Sequence, residues 1–116
     1  MEISEERKAD LVILRLSGKL DATTVKTFED KILAEIDSGD RRFVIDLSQL
    51  DYVSSSGLRV FLLVAKRLRS ADGKIAFCSL KDHVQQVFDL SGFSSILSIY
   101  DSREDGIKGL YVLFCQ

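Results

Sequence analysis

Short apolar runs alternate along this chain with segments whose apolar residues recur at three- and four-residue steps, and that alternation limits the possible architectures severely. Leu11-Val12-Ile13-Leu14-Arg15-Leu16 is nearly continuous in apolar residues, the pattern of a strand buried on both faces, and Gly18 ends it. Val25, Phe28, Ile32 and Ile36 then share one helical face, with Asp21 as the N-cap and Ser38-Gly39 as the stop. Phe43-Val44-Ile45-Asp46-Leu47 is the next apolar run, and Leu58, Phe61, Leu62, Ala65 and Leu68 form the next helical stripe. Asp72-Gly73 turns into a short strand over residues 74–79. Val84, Val87 and Phe88 mark a short helix that ends near Gly92, and residues 96–100 read as a last strand. Ser102-Arg103-Glu104-Asp105 caps and charges the start of a final helix carrying Ile107, Leu110, Tyr111 and Phe114, although residues 110–115 also fit a strand. Ahead of all these, residues 2–8 are polar except for Ile3 and can pair as an edge strand, with Ala9-Asp10 as the turn.

After an opening hairpin, therefore, strands alternate with helices. Such a chain needs crossover connections and a mixed, mostly parallel sheet. The expectation is one α/β domain over residues 1–116, with about five strands and about four helices. Helix N-termini then gather at the C-terminal ends of the strands, where proteins of this class place their working loops.

Several functions are argued against by composition and motif. A net charge of −2 lacks the concentrated basic face that nucleic-acid phosphates require. The one basic cluster, Lys66, Arg67 and Arg69, falls on the outer side of a helix. Cys78 and Cys115 lie inside apolar segments and read as small buried hydrophobes, so neither a metal site nor a cofactor is expected. Residues 1–10 are charged where a signal peptide would be apolar, and no apolar run approaches the ~20 residues of a membrane span. A cytoplasmic protein with no membrane partner is expected. A nucleophilic serine needs a base, yet His83 is the only histidine and reads as a surface residue; the serine loop also lacks the first glycine of a nucleophile elbow. Asp46 superficially matches the phospho-accepting aspartate of a receiver domain. Leu16-Ser17-Gly18, however, stands where a receiver carries its acidic pair. No enzymatic activity is expected.

What remains is Val53-Ser54-Ser55-Ser56-Gly57-Leu58, three hydroxyls where a helix begins. The first N–H groups of a helix have no internal partner and its dipole is positive there, so a serine caps it and a phosphate is tolerated. If Ser54 is the cap, its hydroxyl is occupied and Ser55 points outward; phosphorylation of Ser54 or Ser56 is the other registration.

The stretch Leu47-Ser48-Gln49-Leu50-Asp51-Tyr52-Val53-Ser54-Ser55-Ser56-Gly57-Leu58 resembles the signature of the STAS domain, especially that of bacterial anti-sigma factor antagonists. In that family a strand ends in Asp-Leu/Phe-Ser, a short loop follows, and Asp-Ser-Ser/Thr-Gly-Leu opens a helix. Leu16-Ser17-Gly18-Lys19-Leu20-Asp21 is similar to the family's Gly-x-Ile/Leu-Asp before its first helix. The order of elements fits from about residue 5 to 112. The resemblance implies a protein that binds an anti-sigma factor, often a serine kinase, and is switched off when that kinase phosphorylates a loop serine; a serine phosphatase restores it. Aligned on Gly57-Leu58, the phosphoacceptor is Ser55, and the partner-binding residues are Asp21, Ser54, Ser55, Ser56, Gly57 and Arg59. The sequence departs from the pattern at Ser54, which stands where the family has aspartate. That departure keeps open a second function: a STAS module without phosphorylation, sensing a ligand or nucleotide or serving as a structural subunit.

Overall fold

The computed structural model describes residues 1–111. Its elements in chain order are β1 (Glu2–Lys8), β2 (Leu11–Leu20), α1 (Val25–Asp37), β3 (Arg42–Val53), α2 (Ser55–Ser70), β4 (Lys74–Cys78), α3 (Asp82–Ser91), a 3-10 turn (Phe93–Ser95), β5 (Ile99–Tyr100) and α4 (Arg103–Tyr111). The strands lie in the order β1-β2-β3-β4-β5, with β1 antiparallel to β2 and every later neighbour parallel. This is the mixed, mostly parallel α/β sheet expected. The edge strand at the start forms as anticipated, and Ala9 takes the positive φ of its turn, at 55°.

The sheet's two faces are covered unequally. Val12, Leu14 and Leu16 of β2 and Phe43, Ile45 and Leu47 of β3 pack under α1, α2 and α3 in one cluster. Phe61 is its hub, with ring centroids 5.6 Å from Phe28, 4.9 Å from Phe77 and 6.0 Å from Phe88. The alternate residues Leu11, Ile13, Val44, Ala76 and Cys78 face the other way and meet Leu110 of α4. Burial pushes the Cys78 thiol up to about 11, as suits an inert packing residue. The start of α4 is fixed by charge: Arg103 donates to Asp46 Oδ2 at 2.8 Å and to Glu6 Oε1 at 3.0 Å, and Asp105 N donates to Ser102 Oγ at 3.1 Å. The final segment is thus helical through Tyr111, while Phe114, Cys115 and the strand alternative lie outside the described residues.

Three boundaries differ from those expected. β3 does not stop at Leu47 but runs on to Val53, because Leu50 and Val53 are buried and pair with Gly18 and Leu20. β2 correspondingly does not end at Gly18. The register shifts between Gly18 and Lys19, where glycine takes φ +96°, and pairing resumes through Leu20. The last strand is only Ile99–Tyr100, since the 3-10 turn holds the chain through Leu97, whose N–H donates to Phe93 O at 2.8 Å.

Candidate functional site

The overlong β3 delivers the serines to the end of the sheet beside the end of β2. Lys19 pairs with Tyr52 and Leu20 with Val53, and Ser54 N–H donates to Leu20 O at 2.9 Å. The β2–α1 loop and the serine loop are therefore neighbours, as the parallel arrangement required.

Ser54 is the N-cap of α2. Its Oγ accepts the Gly57 N–H at 3.2 Å and lies 2.9 Å from Ser56 Oγ, while its carbonyl accepts the Leu58 N–H at 3.0 Å. Two of the three hydroxyls are thereby tied to each other and to the backbone. Ser55 lies between them, exposed, and its hydroxyl has no hydrogen-bond partner among the described residues. No residue of the first turn of α2 is acidic, so no carboxylate there offsets its positive end.

Gly57, expected among the partner-binding residues, is buried at the start of α2. A Cβ there would sit 2.9 Å from Val53 Cγ2 and 3.1 Å from Leu20 Cδ2. The glycine lets α2 settle onto the ends of β2 and β3, and it holds the patch from beneath. Arg59 is exposed one turn beyond Ser55. Lys66 and Arg67 are farther along α2, about 16 Å from Ser55 at 1.5 Å per residue. Arg67 is held by Asp37 of α1 at 2.9 Å.

Asp21 does not cap α1, whose N-cap is Thr24. It closes the preceding turn: Oδ1 accepts the Thr23 hydroxyl at 2.7 Å and the Thr23 N–H at 2.9 Å. These two bonds, the hydroxyl first, hold the carboxyl below the usual range and keep it charged. Thr24 Oγ1 donates to Lys19 O at 2.8 Å and accepts the Asp21 N–H at 3.0 Å, so the loop is internally fixed.

Sequence reasoning missed the patch's other rim. Lys81 is ion-paired with Asp51, and His83 Nε2 donates to Asp51 O at 2.6 Å, joining the start of α3 to the end of β3. His83 is a surface residue as expected, but one with a structural bond. Tyr52, 49% exposed, adds an aromatic surface next to Lys19. Nothing local signals these contacts, which join residues about thirty positions apart through the sheet's topology. Among the described residues no group of three or more His, Cys, Asp or Glu side chains is placed to hold a metal ion. No helix among the described residues is long and apolar enough to cross a membrane.

The profile described as STAS domain matches residues 2–106. BtrV of Bordetella bronchiseptica, named for a provisional role as an anti-sigma factor antagonist, is 43% identical over 104 residues, covering 90% of each chain. A Paenibacillus polymyxa protein named anti-sigma F factor antagonist is 30% identical over 118 residues, covering 97% of each. The solved anti-sigma factor antagonist SpoIIAA, unphosphorylated, superposes with a TM-score of 0.81 at 23% identity, covering 95% of this chain and 96% of that one. Its phosphorylated form, from Bacillus, gives 0.73 at 23%, covering 92% and 97%.

Proposed function

Because this chain belongs to the STAS domain family, we propose that it is an anti-sigma factor antagonist whose binding is switched by phosphorylation of Ser55. Its partner on this reading is an anti-sigma factor that is itself a serine kinase, and a serine phosphatase reverses the mark. The observation that carries the reading is the state of the three hydroxyls. Ser54 and Ser56 are engaged, and Ser55 alone is exposed without a partner among the described residues.

The chemistry follows from that placement. Phosphorylation adds about −1.5 to −2 charge at pH 7. At the start of α2 the added charge meets a positive helix end and no acidic neighbour in the first turn, so the fold has no reason to rearrange. The partner, docked over Asp21, Ser54, Ser55, Ser56 and Arg59, meets new charge and bulk where it met a hydroxyl. Release then comes from local repulsion rather than from a change of shape. Support for a fold that carries phosphate comes from SpoIIAA, solved in both forms.

The test is incubation of the chain with its anti-sigma partner and ATP, followed by peptide mapping. Phosphate on Ser55 with loss of partner binding is the expected result; phosphate only on Ser54 or Ser56 contradicts the assignment. An unmodified chain favours the second reading, a STAS module that senses a ligand or builds an assembly, for which Ser54 in place of the family's aspartate is the motivating feature.

A further inference from the structure

At the opposite end of the sheet from the serines, a half-open cavity of about 310 Å³ lies between α2, α4 and the outer edge of β4. Arg42, which pairs with Lys74 at the cavity's mouth, begins β3, and Val53 beside the serine loop ends it. At about 3.3 Å per residue that strand separates the two places by roughly 36 Å along its length. This surface belongs to neither the serine patch nor its switch.

Three observations define what the cavity fits. Its apolar lining includes Ile75, Leu97, Leu110 and Ile96, the last 52% exposed. Among the described residues its charged lining is Arg69 and Lys74, neither with an ion-pair partner there, and no carboxylate of those residues lines it. In a chain with 18 acidic and 16 basic residues, such a wall runs against the average. The third observation is an open edge. Phe77 N–H donates outward to Ser98 O and Ser79 N–H to Tyr100 O, so odd-numbered residues of β4 face β5. Ile75 faces the same way, but pairing with β5 begins only at Phe77. Among the described residues no backbone bond closes that edge at Ile75.

We propose that this cavity docks an extended, acidic and apolar segment of a partner protein, which bonds to the Ile75 backbone, sets a carboxylate between Arg69 and Lys74, and lays an apolar side chain against Ile96 and Leu110. An open strand edge supplies main-chain bonds and the flanking walls supply specificity, the mode by which extended peptides add to sheets. Charge complementarity chooses the partner's sign. Because the cavity and the serines are far apart, a tether here leaves the serine patch free to engage and release.

The experiment is an amide-resolved NMR titration of the full chain with acetyl-Glu-Val-Glu-Ile-Glu-amide, and with the same peptide carrying Lys for Glu. The expected result is saturable shifts at Ile75 and Ser98 with the acidic peptide only, weakening as salt rises. In the double variant Arg69→Glu with Lys74→Glu, affinity for the acidic peptide falls by roughly tenfold or more, and the lysine peptide binds instead. Ile96→Ser, an exposed position that leaves folding intact, also weakens the acidic peptide. The proposal is overturned by unsaturated or absent shifts up to ~5 mM peptide, a concentration that detects even weak complexes. Shifts centred on the serine loop, or equal affinity for both peptides, overturn it too. A concentration-dependent dimer abolished by Ile96→Ser would give the cavity to a second copy of this chain and overturn the partner segment. None of these outcomes depends on whether Ser55 is phosphorylated.

Discussion

The three adjacent serines differ in what surrounds each hydroxyl, and that difference is measurable. Ser54 caps α2, so Ser54→Ala is expected to cost about 1 kcal/mol in urea unfolding, whereas Ser55→Ala stays within about 0.5 kcal/mol of wild type. Ser55→Asp is expected to weaken binding to the anti-sigma partner while leaving the melting temperature within a few degrees; Ser55→Ala still binds but resists release by the kinase. Gly57→Ala tests the floor of the patch. Its new methyl meets Val53 and Leu20 inside 3.2 Å, and overpacking of this kind costs about 1–3 kcal/mol. A Gly57→Ala protein of wild-type stability would show that α2 can lift from β2 and β3 at no expense. Alanine scanning by partner affinity separates Asp21 and Arg59, expected to matter, from Lys66 and Arg67, expected not to.

Among the elements, α4 is fastened by charge as well as by its apolar residues Ile107, Leu110 and Tyr111. Asp46 is only 6% exposed. Burial acts to raise its carboxyl, but the Ser48 N–H and the Arg103 guanidinium together hold it below the usual range. Its contribution to stability is therefore present above the unfolded value of about 3.9 and lost as pH falls through the lower folded value. Acid unfolding of wild type beside Asp46→Asn checks the sign, since only wild type should lose this share below about pH 4. Arg103→Met leaves Asp46 buried without its cation and should cost roughly 1.5–3 kcal/mol near neutral pH. This fastening was invisible in the sequence, where Asp46 only superficially matched the aspartate of a receiver domain and Arg103 read as part of a charged helix start. The strands and helices were legible because their apolar spacing is local information. The true ends of β2 and β3 were not, because the bulge at Gly18 answers to Leu50 and Tyr52 more than thirty positions along the chain. The start of β5 was not, because the 3-10 turn at Phe93–Ser95 also takes up Ile96 and Leu97, whose apolar character suits a strand. The same limit divided the site. Ser54 and Ser55 could be sorted from helix geometry alone, but Asp51, Lys81 and His83 met only once the sheet was assembled.

Across the whole molecule, the edge strand β1 is bound to α1 by three carboxylates and two cations. Arg7 reaches Glu5 at 2.8 Å, Glu35 at 3.3 Å and Asp40 at 2.8 Å, and Lys31 reaches Glu5 at 3.0 Å and Glu35 at 3.5 Å. Burial, and then the proton that it can share with the neighbouring Glu5 carboxylate, raises Glu35 to about 7, and sharing that proton lowers Glu5 to about 2. Glu35 thus contributes stability that is present below its ordinary 4.5 and lost as pH rises through about 7. Glu5 contributes stability that is present above 4.5 and lost as pH falls toward about 2. Denaturant midpoints measured at about pH 5 and about pH 8 should fall more in wild type than in Glu35→Gln. The strand order β1-β2-β3-β4-β5 has a consequence in time as well. A chain leaving the ribosome N-terminus first can dock each strand onto the one already in place, without holding a gap for a later arrival, an order that suits vectorial folding. Among the described residues only α4 reaches back across nearly the whole sequence, through Arg103 to Glu6, 97 positions away, and Tyr111 to Asp10, 101 positions away. Until it arrives, one side of the nascent sheet stays bare, and that interval is when the growing chain is most open to capture by another.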